Sequence, residues 1–171
     1  MKKLLLSAFV LSTLVACNES AKKSETAEQA PAPIEHMYKP TYTDNFKIGD
    51  PKNVMLAEKF HKILFEKDFK QAGELISDTA LFNNEDGTTI KGKAAILEFM
   101  EKNFAGITFK NYQIAAIIPV VGENGHQWVD IWDEADLETP DGKTQKYQWV
   151  DAFRFEGGKI VHFIGFGKAV K

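Results

Sequence analysis

Residues 150–163 read VDAFRFEGGKIVHF, and their alternation places two strands around a tight Glu156-Gly157-Gly158 turn. Side chains alternate along a strand, so Trp149, Asp151 and Phe153 share one face. Beyond the turn, His162 is expected on the same side as Ile160 and Ile164, opposite Phe163. The pentapeptide at 149–153, WVDAF, has a near copy at 128–132, WVDIW, in which Trp128, Asp130 and Trp132 share a face. A carboxylate buried among aromatic rings is costly unless it is paired or used, so both copies raise the question of a site.

Working outward, strands are predicted over 109–121, 126–138, 143–156 and 159–169, divided by GENG, TPDG and EGG. Upstream, Asp50 is placed as a helix N-cap with Pro51 at the first helical position. Leu56, Ala57, Phe60, Ile63 and Leu64 then recur at helical spacing. A short helix over 69–76 follows, then two strand-like pieces around NEDG. A third helix turns Ile96, Leu97, Met100 and Phe104 inward and stops near Gly106. Helices first and long meandering strands afterwards indicate an α+β domain, a curved mixed or antiparallel sheet wrapped around its N-terminal helices.

This order resembles the nuclear transport factor 2-like superfamily, with its SnoaL-like cyclase and ketosteroid isomerase branches, over about residues 50–170. The residues that carry the resemblance are the paired helices, DTALFNNEDGTTIKGKAAILEFM at 78–100, and the closing VDAFRFEGGKIVHF. The resemblance implies a cone-shaped α+β barrel with an apolar pocket at its wide end. It implies nothing definite about activity, because many functions use that pocket.

Two hairpin registers are open at TPDG. A loop centred between Pro140 and Asp141 sets Asp130 directly across from Asp151, and the two carboxyls would then share a proton. A type I turn with a bulge at Gly142 shifts the pairing by one residue. Asp130 then faces solvent while Val129 and Ile131 fill the core. The resemblance favours the first. On it, the pocket is expected to be lined by Phe60, Asn83, Trp128, Asp130, Trp132, Trp149, Asp151, Phe153 and Phe163.

The isomerase pattern, carried over by position, matches its carbonyl-polarising aspartate to Asp151. Its general base falls on Asn83 and its helix-borne tyrosine on Phe60. Asn83 cannot accept a proton and Phe60 has no hydroxyl, so that route to isomerisation is not expected. Where related epoxide hydrolases and cyclases carry an acid on the last strand, this chain has Gly165 or a neighbour. Asp151 and Asp130 remain as candidate acid and base. His61, His126 and His162 are spread over one helix and two strands with no acid at metal-ligand spacing, so neither a metal nor a cofactor is expected.

The first residues, MKKLLLSAFVLSTLVAC, join a basic tip to an apolar run too short to span a bilayer. The ending LVAC resembles a bacterial lipobox. That resemblance implies a signal peptide over 1–16, lipid attachment at Cys17, and a bacterial cell-envelope location on a membrane. Residues 17–35 then form a disordered tether, 36–49 an extended lead-in, and 50–171 the domain. Cys17 is the only cysteine, so the fold must rest on its core without an intrachain disulfide. Cleavage would remove Lys2 and Lys3 and lower the formal net charge from −3 to −5, which disfavours nucleic acid as a partner.

Three functions fit. The leading expectation is non-catalytic binding of a small apolar ligand. The others are a lyase or isomerase using Asp130 and Asp151, and a module that forms a homodimer or docks a protein through its sheet.

Overall fold

The computed structural model describes residues 35–171. The expected signal peptide, Cys17 and nearly all of the expected tether therefore lie outside the described residues. Lys39–Lys171 form one compact unit. Of the preceding unit, Met1–Tyr38, the four described residues are exposed. Among the described residues no helix is long and apolar enough to cross a membrane.

The compact unit opens with a three-residue strand, β1 (Phe46–Ile48), followed by α1 (Pro51–Phe65) and α2 (Phe69–Leu75). Asp50 caps α1 by accepting from the Lys52 amide at 2.9 Å, and Asp68 caps α2 by accepting from Gln71 at 2.9 Å. Next come β2 (Ile76–Asn83), β3 (Thr89–Lys91) and α3 (Lys93–Phe104). Four long strands close the chain: β4 (Thr108–Gly122), β5 (Gln127–Glu138), β6 (Thr144–Glu156) and β7 (Lys159–Ala169). All seven strands form one sheet in the order β1-β4-β5-β6-β7-β2-β3, antiparallel except where β2 runs parallel to β7.

The helices bury their apolar stripes against one face of this sheet. Phe60 and Ile63 of α1, Ala72 of α2, and Ile96 and Met100 of α3 meet Val129, Ile131, Phe153 and Phe155. Burial of this kind contributes about 1.5–3 kcal/mol for each large side chain. Phe153 stacks on Phe163 at 4.6 Å, Phe163 stacks on Phe82 at 4.7 Å, and Phe60 meets Phe153 edge-on at 5.7 Å.

The β5–β6 register corrects the expectation of facing aspartates. Asp130 pairs with Ala152 and Asp151 with Ile131, so the two carboxylates point to opposite faces. The cause lies in the turn. The Gly142 amide donates to the Thr139 carbonyl at 2.9 Å, the Thr139 amide donates to Lys143 at 2.9 Å, and Gly142 adopts φ 79°. This is the bulged turn. A two-residue hairpin needs positive φ at its first central residue, which the Pro140 ring forbids. A second irregularity, between Arg154 and Phe155 on their pairing with β7, separates His162 from Ile160. Ile160 is buried in the core with Phe163 packed against it.

Candidate functional site

Between the helices and the inner sheet face lies a cavity of about 400 Å³. Its walls are largely aromatic: Phe65 from α1, Phe82 from β2, Phe104 from α3, Phe109 from β4, and Trp149 and Phe163 from the sheet. Asn84, Glu85 and Asn103 contribute polar atoms to the lining, and its buried polar residues are His61, Asp133 and Asp151.

Each of these three side chains is placed by ordinary periodicity. His61 lies on the α1 stripe that buries Ala57, Phe60 and Leu64. Asp133 follows Val129 and Ile131 by strand alternation, and Asp151 precedes Phe153 and Phe155 in the same way. His61 is gripped from both sides. Its Nδ1 is 2.8 Å from the Tyr112 hydroxyl and 3.5 Å from Asp133 Oδ2, and its Nε2 is 3.3 Å from Asp151 Oδ2.

Tyr112 donates its single hydroxyl proton to Asp133 Oδ2 at 2.7 Å, so its oxygen must accept from His61 Nδ1–H. With the Nδ1 proton fixed, Nε2 and Asp151 Oδ2 face each other across a position that needs one proton to be favourable. The surroundings reinforce this chain. Burial raises the Asp133 carboxyl above its ordinary range against the hydrogen bond from Tyr112, and burial beside Asp133 holds the Tyr112 phenol well above its own. Asp133 Oδ1 is buried without a hydrogen-bond partner among the described residues.

Gly165 makes room for the acid, since a Cβ there would stand 3.1 Å from Asp151 Oδ1. Gly167 does the same for Trp149, whose ring would lie 2.5 Å from an added Cβ.

The expected pocket residues divide three ways. Trp149, Asp151 and Phe163 line the cavity. Phe60 and Phe153 belong to the packed core beside it, with exposures of 1% and 0%. Trp128, Asp130 and Trp132 do not reach it, because the shifted register turns them to the outer face, where Trp132 is 42% exposed. Asn83 also lies apart from the lining, its Oδ1 3.3 Å from His162 Nε2, while its neighbours Phe82 and Asn84 line the cavity.

Sequence reasoning missed His61, Asp133 and Tyr112. The available signal was the position of His61 inside an apolar helical stripe. One ligand atom from each of His61, Asp133 and Asp151 falls within 4.8 Å of the others, a grouping that could hold a metal ion. The engagement of Nδ1 with Tyr112 leaves Nε2 beside Asp151 as the accessible pair.

A computationally designed 17-OHP binder is similar in fold, with a TM-score of 0.58 at 18% identity over 68% of this chain and 97% of that one. The epoxide hydrolase/cyclase-like enzyme SalBIII, named for pyran ring formation in the polyether salinomycin, matches with a TM-score of 0.57 at 20% identity, covering 68% and 91%. An LEH-like epoxide hydrolase from M. tuberculosis matches at 0.55 and 16% identity, covering 67% and 81%. At these identities the likeness is one of fold alone. No curated protein matches the sequence. The model of the SnoaL-like domain matches residues 57–163, more than half of the chain, and the protein belongs to that family.

Proposed function

We propose that the domain holds a small, mostly apolar molecule in the cone and moves a proton on it, with His61 and Asp151 as the acid–base pair. The observation that carries this reading is the 3.3 Å approach of His61 Nε2 to Asp151 Oδ2 at the edge of a cavity walled by aromatic rings. Proton transfer needs a group within hydrogen-bond reach that can both give and take, held in one orientation; Tyr112 and Asp133 supply the orientation. The reaction class is one in which acid–base chemistry suffices, an isomerisation or an epoxide-type ring opening or closure. Asp130, on the outer face, takes no part.

The test is mass spectrometry of the small molecule retained by the chain, first as purified and then after incubation. Asp151→Asn and His61→Gln should retain the molecule and stop its conversion. Conversion that continues unchanged in both variants removes the pair from the chemistry.

A second reading, binding without turnover, is supported by Phe60 and Asn83, which leave the isomerase positions for tyrosine and base without a hydroxyl or a carboxylate. A retained molecule that the unaltered chain never converts selects it.

For location and partners we propose lipid attachment at Cys17, supported by LVAC at 14–17. Cys17→Ser should release the chain from membranes. We also propose self-association through the outer sheet face, supported by the row that Ala116, Trp132, Val150 and Phe166 form across β4, β5, β6 and β7.

A further inference from the structure

The charges around the cavity are one-sided. Among the described residues Asp133, Asp151 and Glu85 line it, neither a lysine nor an arginine does, and His61 is the single basic group of the lining. Three carboxyl groups against one imidazole leave the site electronegative even when His61 carries a proton. Asp133, only 5% exposed, still has an oxygen that reaches no donor among the described residues. An unpaired acceptor in a buried wall costs stability until a donor arrives.

The placement of Glu85 matters as much as its sign. Its Oε2 accepts from the Gly167 amide at 3.1 Å, which fixes the side chain against β7. Gly165, two residues earlier on that strand, packs against Asp151 Oδ1. The buried Asp151 and the exposed Glu85 thus reach neighbouring positions of one strand, Gly165 and Gly167, which lie roughly 7 Å apart. The Trp149 indole lines the same cavity, and indole π faces attract cations.

We propose that the ligand of this cavity is an apolar amine, bound as its ammonium cation between Asp151 and Glu85 with its hydrocarbon body against the aromatic wall. This deepens the pocket reading above and rests on it. An anionic ligand would meet three carboxyl groups and no Lys or Arg partner. A neutral one would leave the charge of the three carboxyl groups uncompensated. The cavity is also far larger than a bare metal ion requires, at about 400 Å³.

The test is calorimetric titration of the full chain at neutral pH with three probes that share one body: 4-phenylbutylamine, 4-phenylbutanol and 4-phenylbutanoate. The amine is expected to bind about tenfold more tightly than the alcohol, as one charge-assisted contact allows, and the carboxylate most weakly. Glu85→Gln keeps an acceptor for the Gly167 amide and should weaken the amine severalfold while leaving the alcohol unchanged. Equal binding of amine and alcohol, or tighter binding of the carboxylate, overturns the amine assignment and leaves the apolar cavity standing. Binding of none of the three overturns both.

Discussion

Asp151 lies directly across from Ile131, one residue out of step with Asp130. That offset gives two near-identical pentapeptides opposite fates: one acid joins His61 inside the cone, and the other stands on the outer face of the sheet. The consequences separate cleanly in mutants.

Burial raises the Asp130 carboxyl above its ordinary value. A group so raised binds its proton more tightly in the fold than in the unfolded chain. Its contribution to stability is therefore full below the unfolded value of 3.8 and fades as pH rises through the raised one. Asp130→Asn should steepen the acid limb of the urea-unfolding profile, because it removes a contribution that falls as pH rises. At neutral pH it should be mildly stabilising, because the ionised carboxyl no longer has to be held in the fold. Ligand retention should not change.

His162 has the opposite sign. Burial first, and the nearby Arg154 charge second, lower its pKa below 6.5. The folded chain resists protonating it, so its contribution to stability is present above 6.5 and is lost as pH falls from there through the lowered value. His162→Gln should reduce the loss of stability between neutral and mildly acidic pH, read from the same urea curves.

Phe153 was expected as pocket lining and is core instead, with no exposed surface. Phe153→Ala should cost about 3–5 kcal/mol in urea unfolding, the usual range for emptying such a site. Trp149, which does line the cavity, is supported by Gly167. Gly167→Ala must displace the indole and should cost about 1–3 kcal/mol, with a change in tryptophan fluorescence and weaker ligand retention.

The outer face bears its own expectation. Phe166 is 60% exposed and Trp132 is 42% exposed, on strands that pair each of them with Val150. Exposed apolar rows of this kind drive association. Sedimentation of the full chain should show a concentration-dependent dimer that Trp132→Lys abolishes. A strict monomer at high concentration contradicts it.

The strands of this fold were legible because their alternation is long and their turns carry glycine. The helix starts were legible because Asp50 and Pro51 are chemically suited to where they stand. The lead-in strand Phe46–Ile48 was not, since three residues give no period to read. The β5–β6 register was written in Pro140, whose fixed φ excludes the tight hairpin, but the resemblance to the isomerases pointed the other way. With the register wrong by one, Asp133 could not be placed beside Asp151. His61 stayed hidden for a different reason: Tyr112, Asp133 and Asp151 come to it from three separate strands, so no local spacing announces the group.

Tyr112→Phe tests the support behind the pair. Removing the hydroxyl leaves His61 Nδ1 and Asp133 Oδ2 without their shared partner, and should cost about 1–3 kcal/mol in unfolding experiments. Turnover of any substrate found should fall with it.

The most direct measurement is ¹⁵N NMR of the histidine rings in the full chain, recorded for the unaltered protein, Asp151→Asn and Asp130→Asn. The His61 Nδ1 resonance should report a bound proton, and its Nε2 resonance should move in Asp151→Asn and stay fixed in Asp130→Asn. An Nε2 resonance indifferent to Asp151, or one that answers to Asp130 instead, would contradict an acid–base pair built from His61 and Asp151.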